Sequence, residues 1–282
     1  MLAQLIRTLN PRQFLQALAA IEHEAQQLPV SRSQAQRQAA LTLLLVAVCL
    51  LGIHYLKFFA TFRACLTQLS LWQGLAPDAL WQQLVNSGFA HLIGQLWWGG
   101  WHAVGYVLLP GLFIRYVLRQ PLLDFGLGLG DVRRHWAGYL LLLSPILGFV
   151  VIVSFRPDFS QHYPFYRLAG RSWFDLLAWE LIYLSQFVFL EFFFRGFMLQ
   201  SLRPAFGVNA IFVMCLPYLM IHFSKPWLEA TGAILFGLFL GVLAMRSRSI
   251  WGGVIVHAGV AASMDIAALL QTQGLPQKGW PF

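Results

Sequence analysis

Apolar stretches of about 20 residues recur along most of this chain of 282 residues, and they decide what it can fold into. Runs of that length with few charges read as membrane-spanning helices. They fall at about 39–60, 96–118, 137–155, 173–199, 208–224, 229–246 and 250–270. Composition agrees: only 11% of residues are charged and the mean hydropathy is +0.63. A soluble domain carries roughly 25% charged residues. The expectation is an all-α protein, a polytopic transmembrane helical bundle of about seven spans.

The polar parts of the chain divide it further. Residues 1–38 read as a cytoplasmic amphipathic N-terminal region, with Leu5, Leu9, Phe14, Leu15, Leu18 and Ile21 at helical spacing among Arg7, Arg12, Glu22 and Glu24. It either lies on the membrane surface or forms a partly ordered helix. Residues 39–119 make an N-terminal transmembrane region, 120–272 a membrane core and 273–282 a C-terminal tail. Residues 66–95 form a mixed connection, and Trp72, Trp81, Trp97, Trp98 and Trp101 fit an aromatic belt at the interface. No short apolar core follows Met1, so no cleavable signal is expected and the first span acts as an anchor.

The formal net charge of +8 comes from basic residues at the ends of apolar spans rather than in one patch. That arrangement suits membrane lipid headgroups and argues against nucleic acid as a partner. Arginines such as Arg32, Arg37, Arg115, Arg119, Arg133, Arg134, Arg246 and Arg248 favour an N-in, C-out topology. With it goes an integral protein of a bacterial inner membrane. Cys49, Cys65 and Cys215 are far apart and form neither CxxC nor zinc spacing, so no disulfide framework is expected. The oligomeric state is not encoded in any pattern here.

Chemistry is concentrated in a few ionisable residues inside the apolar spans: Glu180, Glu191, Arg195, His222, Glu229, His257 and Asp265. Such groups are expensive in lipid and mark function by default. Glu191 and Arg195 are four residues apart, on one face of a helix, where they pair. A turn at Gly207 would make an antiparallel hairpin that levels Glu191 with His222 to within about 2 Å, at 1.5 Å per residue. If the last helix starts near Ser249, His257 joins them. Glu180 lies about 16 Å along the helix from Glu191 and forms no dyad with it. A buried carboxylate beside histidines can activate water as a general base, and a histidine can orient that water or support an oxyanion. This is machinery for hydrolysing a peptide bond within a membrane. Two histidines and a glutamate also make a known zinc set, the minor alternative, although no HExxH is present. Gly232, Gly237, Gly241, Gly252, Gly253 and Gly259 are expected to let the last two helices pack closely.

The pattern Glu191-x-x-x-Arg195-Gly196, then Tyr218-x-x-x-His222, then His257, resembles the CPBP intramembrane proteases. These include the CAAX prenyl endopeptidases, bacteriocin-processing and immunity proteins, and the myxosortases. Phe125-Gly-Leu-Gly-Leu-Gly130-Asp131 and Arg246-Ser-Arg-Ser-Ile250 also resemble segments of that family, and the likeness covers about residues 120–270. It implies a CPBP-like protease core over 120–272 and a glutamate-dependent hydrolase without metal or other cofactor. Carried over, Glu191, His222 and His257 are the catalytic candidates and Arg195 supports them; Glu229, at the start of the next span, and Asp265, eight residues after His257, are supporting candidates by their place in the chain.

The chain departs from the family pattern at two places. Leu190 stands where the first glutamate of the motif would be, and Ala261 where an asparagine would follow the last histidine. Two readings follow. In the first the protein is an intramembrane endopeptidase cutting a membrane-anchored protein or peptide, with Glu191 as base. In the second it is a catalytically inactive relative serving as an immunity factor or assembly partner. A transporter has less support, because no inverted repeat is visible.

Overall fold

The structure is a computed structural model that describes residues 10–225 and 227–282. Residues Leu5, Arg7 and Leu9 of the amphipathic N-terminal region lie outside the described residues. Among those described, secondary structure is helical throughout. The helices are α1 (Pro11–Gln26), α2 (Arg32–Leu56), α3 (Phe59–Trp72), α4 (Ala79–Asn86), α5 (Ala90–Ala103), α6 (Trp136–Val153) and α7 (Pro157–His162). They continue with α8 (Trp173–Glu191), α9 (Leu199–Phe206), α10 (Ala210–Met220), α11 (Trp227–Ser247) and α12 (Trp251–Thr272). α5 runs on to Leu118 through two π-helical stretches, and a third, Phe192–Met198, joins α8 to α9 without a break.

Among the described residues, six helical segments are long and apolar enough to cross a membrane: Arg32–Leu56, Ala90–Leu118, Val132–Val153, Trp173–Met220, Glu229–Ser247 and Trp251–Thr272. The fourth, 48 residues long, doubles back at Gly207, roughly in keeping with about seven passages. That turn stands where the hairpin argument puts it. Gly207 has φ +56°, a conformation that favours glycine, and a β-carbon there would strike the Glu22 carboxylate. After the turn the apolar run 208–224 makes only an 11-residue helix, α10. At 1.5 Å per residue this is about 16 Å, roughly half a bilayer core. His222 therefore lies in the turns beyond the helix end rather than within a span.

Two compact units share these helices. Among the described residues, the first comprises 10–48, 107–145 and 188–257. Within it α1 docks on the chain rather than standing free. Phe14 meets Phe239 at 5.2 Å between ring centroids, and Glu22 Oε2 accepts the Val208 N–H at 2.8 Å. Glu24 faces Arg203 at 3.0 Å and Arg246 at 3.3 Å. The loop 126–131 pairs with the start of α12: Ile250 N–H donates to Gly126 O at 2.9 Å and Asp131 N–H to Ser247 O at 2.7 Å.

The second unit comprises residues 49–106, 146–187 and 258–282. Its core gathers Leu92, Tyr166, Trp179, Tyr183, Ala261 and Leu269. The 66–95 connection is largely helical, as α3 and α4. Tail carbonyls of Lys278 and Gly279 accept the N–H groups of Trp173 and Phe174, which caps the first turn of α8.

The glycines of the last helices do a different job from the expected one. Gly237 and Gly241 of α11 lie against Cys215, Tyr218 and Ile211 of α10. Gly252 and Gly253 of α12 lie against Tyr139 and Glu191. Each admits a bulky neighbour from another element, so their spacing reports several contacts rather than one α11–α12 seam.

Candidate active site

The site lies in the first unit and is built around the end of α8. Glu191 is its last α-helical residue, and the chain then widens into the π-helical stretch Phe192–Met198. Such π insertions are often found at functional sites. Close packing fixes the stretch: Phe193, Phe194 and Phe197 are fully buried, and Gly196 sits under the carbonyl of Phe125, where a side chain would not fit. The 125–131 loop thus braces both the carboxylate helix and the helix that carries His257.

Glu191 and Arg195 are each 1% exposed. Arg195 Nη1 stands 3.3 Å from Glu191 Oε1, and its guanidinium carbon lies 4.0 Å from the centre of the Tyr218 ring. None of the three guanidinium nitrogens meets hydrogen-bond geometry. Arg195 is therefore held by charge and by the aromatic face. Glu191 Oε1 also receives His257 Nδ1 at 2.7 Å. A carboxylate only accepts, so Nδ1 carries the proton in this bond. Glu191 Oε2 lies against the α-carbon of Gly253 on α12. That glycine, one helical turn before His257, lets the carboxylate reach the imidazole.

Tyr218, on α10, opens the Tyr218-x-x-x-His222 pattern in the sequence but is not among the site candidates. Its hydroxyl lies 3.0 Å from His257 Nε2. Its carbonyl accepts His222 Nδ1–H at 2.7 Å, and the two rings stand 4.7 Å apart. With Nδ1–H committed to a carbonyl, neutral His222 presents Nε2 as an acceptor. Burial pushes His222 down to about 4, with the nearby His257 and Lys225 charges adding and the Tyr218 carbonyl and Glu229 opposing. His222 is thus uncharged near neutrality.

The remaining candidates have other partners. Glu229, in the first turn of α11, faces Lys225 at 3.4 Å, and its charge is felt at His222. Asp265 belongs to the second unit, where it is fully buried and accepts the Trp179 indole N–H at 2.6 Å. Leu190 is half-buried, and Ala261 packs in the second unit's apolar core.

Helices of membrane-crossing length and an internal cluster of ionisable residues define an integral membrane protein with a polar site. Residues 172–263 match the family model described as Type II CAAX prenyl endopeptidase Rce1-like. The match is consistent with a member of the CPBP family, a protease family of membranes, and it takes in Glu191, Arg195, His222 and His257. The 125–131 loop lies outside the matched segment. No curated protein and no solved structure matches the chain.

Proposed function

We propose that this protein is an intramembrane endopeptidase that hydrolyses a peptide bond in a membrane-anchored protein or peptide. The observation that carries the reading is the buried Glu191–His257 pair at 2.7 Å within the segment that matches a protease family. Water gives up a proton to the Glu191 carboxylate as its oxygen bonds to the scissile carbonyl carbon, whose π electrons move onto the carbonyl oxygen. His222 Nε2 accepts the second water hydrogen and fixes its direction of attack. The proton then passes to the departing nitrogen as the C–N bond breaks, leaving a carboxylic acid and an amine. Arg195 holds the Glu191 carboxylate in place, and Glu229 tunes the field at His222. These side chains supply the chemistry without a metal.

A second reading, a non-catalytic immunity factor or assembly partner, is favoured by one observation: Leu190 and Ala261 remove two polar groups of the family pattern, and Ala261 is 3% exposed in apolar surroundings. The two readings separate in cells carrying wild type, Glu191→Gln or His222→Ala, each checked for normal insertion. Accumulation of an uncleaved membrane-anchored precursor in both variants is the expected result. Normal precursor processing by well-inserted variants would sink the peptidase reading in favour of the partner.

A further inference from the structure

Tyr218 touches three of the residues assigned a role above. Its ring lies under Arg195, its carbonyl holds His222, and its hydroxyl meets His257 on the nitrogen opposite Glu191. The ring itself is clamped, with Phe194 edge-on at 5.3 Å and Gly237 of α11 leaving room at its flank. Tyr218 is 1% exposed. A phenylalanine would fill the same space and keep the face that Arg195 sits on. The hydroxyl is therefore not required for packing, and burying it without a partner is unfavourable. Its partner is His257.

The proton positions follow from donor and acceptor chemistry. Glu191 Oε1 takes Nδ1–H, so Nε2 of neutral His257 is a lone pair, and the Tyr218 O–H donates to it. All the protons then point along one line from phenol to imidazole to carboxylate. When the imidazole takes up a proton, Nε2–H donates and the phenol oxygen accepts. A hydroxyl can serve both states; a methyl, amide or carboxylate group cannot do so without reorienting or changing charge.

We infer that the Tyr218 hydroxyl is a positioning residue: bonded to His257 Nε2 opposite Glu191, it holds the imidazole in one tautomer and one orientation through both of its protonation states. This rests on the peptidase reading, and Tyr218 acts through His257 rather than on the substrate.

The test uses full-length protein in lipid nanodiscs, with Tyr218→Phe beside wild type and Glu191→Gln. The probe is the membrane-anchored precursor that accumulates in cells carrying Glu191→Gln. Nitrogen NMR of histidine-labelled protein reports the tautomer, with His257→Gln to assign the signals. Wild type should show a single Nδ1–H form of His257, and Tyr218→Phe a mixture of forms. The variant's kcat should fall on the order of 10–100-fold, the size seen when the partner that orients a metal-bound histidine is removed. KM should stay close to the wild-type value. If Tyr218→Phe keeps the wild-type tautomer or the wild-type kcat while Glu191→Gln is inactive, Tyr218 is a packing residue and the peptidase reading stands alone. An effect confined to KM or to protein level overturns the proposal in the same way. If Glu191→Gln cleaves normally and no precursor accumulates, the peptidase reading fails and this role fails with it.

Discussion

Arg195 and Glu191 show how one buried charge depends on another. Each is 1% exposed and they stand 3.3 Å apart, so removing one leaves the other charged and uncompensated. Arg195→Met should cost about 3–5 kcal/mol, read as a lower unfolding midpoint in detergent. Adding Glu191→Leu should recover much of that loss, because the pair would then be replaced by apolar groups; no recovery would show that the charges are not coupled. His222 gives a pH dependence. Its folded value of about 4 lies below its ordinary one, so between about 4 and 6.5 the unfolded chain binds more protons. Stability should therefore be full above about 6.5 and fall as the pH drops towards 4. His222→Gln should flatten the slope of the unfolding midpoint across that window, and an unchanged slope would reject the assignment. These residues were legible in the sequence because charge inside an apolar run is costly. The role of Tyr218, which stands in the Tyr218-x-x-x-His222 pattern, was not, because it lies in a hydroxyl whose partner is 39 residues away.

At the scale of the element, periodicity finds helices but not their exceptions. The run around Glu191 reads as regular α-helix, yet it becomes π-helical over Phe192–Met198. That widening is set by long-range packing, including the Phe125 carbonyl on Gly196. The helix α1 has a similar history. Its amphipathic spacing was plain, but its dock was not, since Glu24 pairs with arginines about 180 or more positions later. Its contacts with Arg203 and Arg246 are partly exposed and so sensitive to salt. Glu24→Gln should lower the unfolding midpoint in dilute buffer and do little in molar salt. An equal effect in both would mean that packing, not charge, holds α1. Gly207→Ala should be harsher, losing about 1–3 kcal/mol for a backbone conformation open essentially to glycine, with the clash against Glu22 added. A variant as stable as wild type would show that α1 gives way there.

Over the whole molecule, the apolar surface is explained by lipid. Leu41, Leu44, Val48, Leu51 and Tyr55 of α2 form an exposed stripe at helical spacing, as a face turned to acyl chains requires. Composition and span length made the membrane class readable from the first residues. The half-length α10 could not be read, because its apolar run is long enough to span and only the structure shows the turns after Met220. The arginine distribution predicts that reporters fused before residue 32 and within residues 156–171 report opposite sides of the membrane. The same side for both would reject that topology.

The π-helical stretch also has a genetic reading. It behaves as a residue inserted into a helix and absorbed by a widened turn, so that the turns beyond it keep their direction. In a regular helix the loss of one residue swings everything after it by about 100°, whereas here the widened turn can close to a regular one and take up most of that change. A scan of single-residue deletions along α8 and α9 should therefore find its mildest positions within Phe192–Met198 rather than in the regular turns on either side.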